Sequence, residues 1–403
     1  MTVVACLRSL GLLLGLSATP LLGQGTESAP LSRPAPSADR AAVRDLVERR
    51  LAGLWEYGTF AGASLALSFG AGEDVAIAGG YADREKKRLL RPSDRMMQGS
   101  VGKTYVSAVA LALIDEKKLS LDDRVGTHLA SPPLPDRIPN FDRITIRDLL
   151  RHTSGIDRYE FKPSFHATLN AAPERTFKPA ELLAFVAGDP PLSEPGARFH
   201  YADTNYILLG LVLEKVGGEA LFAAIARRLL LPLGLEDTVA ALSPSIPRLA
   251  QGYAGEKNEF GKKNLMLEND RMIVNPQFEW AGGGFASTAK DLARWARELY
   301  AGRGLSRAAR LALVDGVAAP MLGKGARYGL GVILRDTPQG QCLGHSGFFP
   351  GYMTEMRYYP DLDLALAVQV NTSVPADLPQ PLGAFLGEIA AEVAALQKVE
   401  SDR

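Results

Sequence analysis

Ser100 and Lys103 stand three residues apart in the segment GSVGKTYVSAVALAL. Residues with this spacing share one face of a helix, so the lysine amine can reach the serine hydroxyl. A serine hydroxyl is a weak nucleophile until a base removes its proton, and apolar surroundings lower the pKa of a lysine enough for it to act as that base. A helix N-terminus beneath Ser100 also favours developing negative charge. The pattern predicts Ser100 as a nucleophile and Lys103 as its base.

The same spacing occurs a second time at Ser287 and Lys290, so the four-residue pattern is weak on its own. Here the helix continues as Asp-Leu-Ala-Arg-Trp, and Ser or Thr side chains at helix starts accept hydrogen bonds from free backbone amides. We therefore interpret the second copy as a helix cap. The helix after Ser100 is longer and more apolar, which favours the first copy for chemistry.

Hydrophobic periodicity indicates which elements position these residues. An amphipathic helix is predicted over residues 38–57, and a hairpin with a Gly-Ala-Gly turn over 63–78. Helical runs dominate residues 101–231, strand-like runs return over 329–370, and a final amphipathic helix is predicted over 382–396. Both ends of the chain then belong to one α/β lobe, into which a helical lobe is inserted.

The first 37 residues are predicted to lie outside this fold. Arg8 precedes an apolar stretch, 10–22, that ends in small residues, which is the layout of a secretory signal peptide over residues 1–23. The apolar run is too short for a stable membrane span. Residues 24–37 are rich in Pro, Ser and Ala and are predicted to be a flexible linker. We expect an exported protein, periplasmic or extracellular.

Composition and charge narrow the classes of function. Apolar residues make up 46% and charged residues 22%, as in globular proteins. Lys+Arg and Asp+Glu both number 45, so no overall charge attracts nucleic acid or anionic lipid. The five histidines form no metal-binding motif, and no dinucleotide or phosphate-loop fingerprint occurs. We expect no metal, no cofactor and no nucleic-acid partner.

Five segments resemble the serine β-lactamase and penicillin-binding-protein superfamily, particularly class C β-lactamases, D-alanyl-D-alanine carboxypeptidases and related esterases. The resemblance implies a mixed α/β (α+β) fold with a central antiparallel sheet flanked by helices. It assigns residues 38–400 to a catalytic domain, with an α/β lobe over 38–99 and 280–400 and a helical lobe over 100–279. The segments are GSVGKTYVSAVALALIDEKKLSLDDRV, ITIRDLLRHTSGI, FHYADTNYILLG, AGGGFASTAKDLARW and LGHSGFFPGY.

The resemblance gives Tyr201 the place of the tyrosine in the Y-x-N motif, which passes protons between serine, lysine and leaving group. Asp203 stands where the family has asparagine. An ionised aspartate only accepts hydrogen bonds, whereas asparagine also donates, so amide substrates are placed in doubt. We expect an anionic Asp203 to hold Lys103 protonated and to favour Tyr201 as the acting base. Asn205 could supply an amide, but its spacing differs.

The third family motif, K-T-G or H-T-G, is represented by His345, Ser346 and Gly347. The resemblance implies that His345 is a cation, that these residues bind substrate, and that carboxylate binding depends on pH. It also implies an oxyanion hole formed by the backbone N–H groups of Ser100 and Phe348. The segment His-Thr-Ser-Gly at 152–155 is interpreted as the exit turn of a helix.

These motifs and the family resemblance lead to two alternative hypotheses for the function. The first is a serine hydrolase that forms an acyl-enzyme on Ser100 from a small ester, amide or D-amino-acid peptide, with cell-wall peptides and β-lactams among the candidates. The alternative is a catalytically inactive protein of the penicillin-binding type that senses or binds cell-wall peptides. The presence of Ser100, Lys103 and Tyr201 together favours the enzyme, because a protein that only binds would be free to lose any of them.

Overall fold

A computed structural model describes residues 40–69, 74–129, 134–256, 258 and 264–401. The described residues belong to one compact unit. The predicted signal peptide and linker lie outside the described residues and stay predictions.

Twelve α-helices lie in the described part of the chain. They are α1 (Arg40–Glu56), α2 (Lys103–Asp115), α3 (Val125–His128), α4 (Ile146–Arg151), α5 (Pro163–Ala171), α6 (Pro179–Ala184), α7 (Asp203–Gly217), α8 (Leu221–Ile225), α9 (Trp280–Gly283), α10 (Ala289–Tyr300), α11 (Arg307–Leu313) and α12 (Leu382–Ser401).

Fourteen strands lie in the same described ranges. They are β1 (Gly62–Ser68), β2 (Asp74–Asp83), β3 (Arg88–Leu89), β4 (Met96–Met97), β5 (Val239–Ala240), β6 (Leu267–Glu268), β7 (Arg271–Met272), β8 (Phe285–Ser287), β9 (Val317–Ala318), β10 (Arg327–Tyr328), β11 (Ile333–Thr337), β12 (Gly340–Phe349), β13 (Tyr352–Tyr359) and β14 (Leu364–Val370).

The main sheet joins the two ends of the described chain. Among the described strands its order is β3-β2-β1-β14-β13-β12-β11-β10-β9. Every neighbouring pair is antiparallel. Ala63 of β1 pairs with Val370 of β14, so two neighbouring strands within the sheet come from opposite ends of the described sequence. The predicted mixed α/β fold with an antiparallel sheet and flanking helices is confirmed.

The two faces of the sheet carry side chains of different size. One face packs bulky residues of β1 and β14 against α1 and α12 in a single apolar cluster. The opposite face presents alanines, and α10 packs there. Small side chains let a helix approach the sheet closely. The bulky residues are Leu65, Leu67, Leu364, Leu366 and Val368, and the alanines are Ala66, Ala365 and Ala367.

Helices α2 to α8 pack mainly on one another, with α2 and α7 side by side. Their apolar side chains join those under α10 in one continuous core. The expected lobe boundaries at residues 99–100 and 279–280 stay a prediction.

Local structure differs from the sequence expectation at the start of α2. A 3₁₀ helix, Gly99–Gly102, precedes α2 and carries Ser100. The turn continues directly into α2, because Gly102 and Lys103 both have right-handed helical backbone angles. Ser100 therefore lies one tight turn before the α-helix and not within it. None of the helices that the structure describes has the length and apolar character needed to cross a membrane.

Candidate active site

Two glycines bring the turn that carries Ser100 against strand β12. Gly99 has φ +52, and a side chain there would collide with the backbone of Phe348, whose nearest atom would lie 2.4 Å from a Cβ. A Cβ on Gly347 would lie 1.9 Å from the carbonyl oxygen of Gln98. Both positions require glycine because the two backbones are in direct contact. This contact between the two backbones holds Ser100 beside the segment that includes Phe348.

Lys103 occupies the centre of the site and is completely buried. Its Nζ donates to Ser100 Oγ at 2.9 Å and to the carbonyl oxygen of Gly282. Its third neighbour is Asp203, with Oδ1 at 2.5 Å. The predicted contact between serine and lysine is therefore present, and the expected approach of Asp203 to Lys103 is observed as an ion pair.

The ion pair with Asp203 sets the protonation of Lys103. Burial by itself lowers the pKa of Lys103, but the negative charge of Asp203, helped by Tyr201 and Glu279, outweighs burial and raises the net pKa. The ammonium form is thus the resting state of Lys103.

Tyr201 lies just before α7, and its ring is tilted by 33° against the imidazole of His152 at a centroid distance of 4.2 Å. Lys103 Nζ lies 5.1 Å from the centre of the Tyr201 ring. The hydroxyl makes no hydrogen bond in the part of the chain that the structure describes. Ser100 and Lys103 nevertheless lie near enough to favour its ionised form. Burial dominates and raises the pKa of Tyr201, so the phenol is also protonated at rest.

His152 supports the backbone at Tyr201. It ends α4 with φ 58, and its Nδ1 accepts a hydrogen bond from the backbone N–H of Ala202 at 3.2 Å. Asn205 Nδ2 lies 3.1 Å from the same nitrogen, while its Oδ1 accepts from Ser154. The predicted exit turn at 152–155 is confirmed. Asn205 is engaged within this buried network and does not substitute for an asparagine at 203.

Two further carboxyl groups, Glu160 and Glu279, lie near Asp203. Glu160 Oε1 accepts from the backbone N–H of Asp203 at 3.4 Å. Burial, and then the charge of Asp203, raise the pKa of both glutamates. Asp203 is the member of this cluster that pairs directly with Lys103.

His345 is buried in the site, and the expectation that it is a cation is wrong. Burial and then the positive charge of Lys103 lower its pKa to about 3. Its Nδ1 lies 2.7 Å from the Ser346 carbonyl, which can only accept, so Nδ1 carries the proton. Nε2 then accepts from the Tyr328 hydroxyl at 3.0 Å. A neutral His345 gives no charge for binding a carboxylate.

Ser100 and Tyr201 open into a cavity of about 710 Å³. Phe348 stands at its wall with 58% of its surface exposed. Ser100 and the predicted substrate-binding residues of β12 line the same cavity. The oxyanion hole formed by Ser100 and Phe348 stays a prediction. Residues that line the cavity include Ser100, Arg158, Tyr201, Met321, Leu322, His345, Ser346, Gly347, Phe348, Glu355 and Leu378.

Arg158, Glu160, Glu279 and Tyr328 were not identified from the sequence. Each belongs to a segment without a recognised motif, and each reaches the site through long-range packing. Arg158 and Glu160 follow the His-Thr-Ser-Gly segment by three and five residues, and that proximity is the one sequence signal that could have pointed to them.

Comparisons with known proteins agree with this architecture. The family model described as Beta-lactamase matches residues 46–391. A penicillin-binding protein 4* of Bacillus subtilis is 29% identical over 70% of this chain, and a D-aminopeptidase of Brucella anthropi is 26% identical over 73%. The chain spans 62% and 53% of the lengths of these two relatives. A solved D-stereospecific amidohydrolase from Streptomyces sp. matches 88% of this chain and 98% of its own, with TM-score 0.69 and 26% identity.

The fold and these relatives define a class, proteins built on the β-lactamase fold. The match over most of the sequence then identifies the family: this chain belongs to the β-lactamase family.

Proposed function

We propose that this protein is a serine hydrolase that acts through an acyl-enzyme on Ser100. The observation that carries the proposal is the hydrogen bond of 2.9 Å between Lys103 Nζ and Ser100 Oγ, at the wall of a cavity. A nucleophile within hydrogen-bond reach of a basic group, next to space for a substrate, is the arrangement that covalent catalysis requires.

In the first step Ser100 Oγ forms a bond to the substrate carbonyl carbon, and its proton passes to the base. The backbone N–H groups of Ser100 and Phe348 are proposed to stabilise the oxyanion. The bond from the carbonyl carbon to the leaving oxygen or nitrogen then breaks, and the leaving group takes a proton through Tyr201. In the second step water attacks the acyl ester, which releases the acid and restores the Ser100 hydroxyl.

Proton transfer is proposed to limit the pH range of this reaction. Lys103 and Tyr201 both have raised pKa values, so neither is a free base at neutral pH. The active fraction requires one of them to lose a proton. Activity should therefore rise with pH on the alkaline side of neutrality.

The proposed substrates are small esters, amides or D-amino-acid peptides. A cavity of about 710 Å³ accommodates molecules of this size, and Met321, Leu322 and Leu378 supply apolar contact area. The names of the relatives, a D-aminopeptidase and a D-stereospecific amidohydrolase, support D-configured substrates. The signal peptide predicted from the sequence supports action in the cell envelope.

Labelling with a fluorophosphonate, together with a panel of ester, D-alanyl and β-lactam substrates, tests the proposal. We expect a single covalent adduct on the peptide containing Ser100, and Ser100→Ala should lower the rate of ester hydrolysis at least about 1,000-fold. Ser287→Ala is the matched control and should retain labelling and activity. Saturable ligand binding without an adduct or turnover in the folded protein would instead support the inactive binding protein.

A further inference from the structure

A second cavity, of about 190 Å³, lies between the end of α10, helix α11 and the start of β12. It shares no lining residue with the cavity at Ser100 in the described part of the chain. Its wall is mainly apolar and aromatic, and includes Tyr300, Leu313, Val314, Leu343 and Tyr358. Among the described residues that line it, Arg310 carries a charge and none is acidic.

Arg310 is a buried cation that has no carboxylate partner among the residues that the structure describes. The residue is 8% exposed, and its Nη1 donates to the carbonyl oxygens of Gly302, at 2.8 Å, and Leu305. Burial lowers the pKa of Arg310, and no carboxylate is among the groups that act on this pKa. An arginine keeps its charge in proteins, and buried charges are normally paired. Arg310 therefore lacks the negative partner that its burial calls for.

Two donors of the Arg310 guanidinium are unused. Nε is buried and has no hydrogen-bond partner within the described ranges of the chain. The hydrogen bonds of Arg310 to described residues run through Nη1, so Nη2 is also free of them. Nε–H and Nη2–H point in parallel from one edge of the guanidinium plane. A pair of parallel N–H donors matches the two oxygens of a carboxylate.

The volume and the wall of this cavity favour a small aromatic body on the ligand. An engineered apolar cavity of about 150 Å³ binds benzene, so about 190 Å³ holds one aromatic ring with a short acidic group. The rings of Tyr300 and Tyr358 lie 23° from parallel with centroids 6.1 Å apart, and both belong to the wall. An ammonium group would find no acidic partner among the described lining residues, which disfavours amino acids.

We propose that this second cavity binds a small aromatic carboxylate that carries no amine. The carboxylate accepts from Nε and Nη2 of Arg310, and the ring packs on Leu313, Val314 and Leu343. The site is independent of the proposed function, because no step of acyl transfer at Ser100 involves Arg310.

Titration of the wild-type protein with 4-fluorophenylacetate, followed by fluorine NMR, tests this site. We expect a Kd of about 1 mM or lower, and shifts in the methyl signals of Leu313, Val314 and Leu343. 4-Fluorophenylacetamide has the same ring without the charge and should bind at least about 10-fold more weakly. 4-Fluoro-D-phenylalanine adds an ammonium group and should be weakened as much. These comparisons need no variant.

Substitutions at three arginines locate the ligand. Arg310→Met should raise the Kd at least about 10-fold, and Arg310→Lys should give an intermediate value because it keeps the charge but loses the paired donors. Arg307→Met removes an exposed charge from the same helix and should change the Kd by no more than about 2-fold. Arg158→Met should bind like the wild-type protein, because Arg158 lines the cavity at Ser100 and not the second cavity.

Four results would overturn the proposal. They are an absence of saturable binding up to about 10 mM, equal affinity for the acid and the amide, wild-type affinity in folded Arg310→Met, and loss of binding in folded Arg158→Met. The last result would place the ligand in the cavity at Ser100. None of the four bears on the proposed function, which is tested separately by the labelling of Ser100.

Discussion

The chain contains the S-x-x-K pattern twice, and the structure gives the two copies different surroundings. At Ser100 a 3₁₀ turn runs directly into α2, so serine and lysine lie on one helical face with their polar atoms 2.9 Å apart. Ser287 instead ends strand β8, and its Oγ lies 2.8 Å from Thr238 Oγ1. Thr288 caps α10, as the sequence predicted, and Lys290 is exposed.

The difference shows that three-residue spacing is sufficient only when the backbone between the two residues is helical. A change from strand to helix between Ser287 and Lys290 separates the two side chains. Burial then matters as much as spacing, because Lys103 has Ser100, Gly282 and Asp203 as its neighbours and no contact with solvent. In the second copy Ser287 is bonded to Thr238 and Lys290 is exposed to solvent.

Replacing the two lysines separately gives the largest expected contrast. Lys103→Met should lower kcat/KM about 100-fold or more, since it removes the group bonded to the Ser100 hydroxyl, which is one of the two candidate bases. It should also lower the free energy of unfolding by about 3–5 kcal/mol, because Asp203 is left buried without its partner. Lys290→Met should change the free energy of unfolding by no more than about 0.5 kcal/mol, and kcat/KM by no more than the factor of about 2 that corresponds to this energy. Urea unfolding measures the stability of each variant, and ester hydrolysis measures its kcat/KM. Equal effects of the two substitutions would contradict the different roles assigned to the two lysines.

Asp203→Asn tests whether the ion pair sets the pH range of the first copy. Asp203 raises the pKa of Lys103, so removing the charge lowers that pKa and populates the free amine at lower pH. The alkaline rise of kcat/KM should move to lower pH by about one to three pH units. Asp157→Asn, which breaks an ion pair with Lys162 at 2.6 Å, is the control and should leave the profile in place. A profile unmoved or moved upward in Asp203→Asn would rule out this role.

Thr288→Ala tests the structural role of the second copy and has the smallest expected effect. Thr288 Oγ1 accepts from the backbone N–H of Asp291 at 3.3 Å, and losing an N-cap of this kind costs about 1 kcal/mol. Thermal unfolding should report that loss, with kcat/KM for esters unchanged. A large drop in activity at full stability would mean that the second copy takes part in chemistry.

The parts of the site that sequence predicted are those encoded by short segments. The contact between Ser100 and Lys103 depends on one turn of chain, and Tyr201 was located by its own motif and by the order of the five family segments. The hairpin of β1 and β2 was also predicted, because its turn and alternation are local. Pairing of β1 with β14 was not, since it joins positions such as Ala63 and Val370 that are far apart in sequence.

The protonation states could not be predicted from local sequence. His345 is neutral because it is buried and faces Lys103, and both facts arise only after the chain has folded. Asp203 is an exception: its type and its place in the motif were sufficient to predict its effect on Lys103. Arg158, Glu160 and Glu279 have no such motif, so the charge balance around Lys103 needed the structure.

The wall of the cavity at Ser100 contains two kinds of position: the glycine at the contact between Gly347 and the Gln98 carbonyl, and side chains that are exposed. At Gly347, even one added methyl group would push β12 away from the turn that carries Ser100 and move Ser100 relative to this strand. Met321 and Phe348 are more than half exposed and can change size without moving any backbone. New substrate preferences can therefore evolve through these two side chains, while the glycine positions tolerate almost no variation.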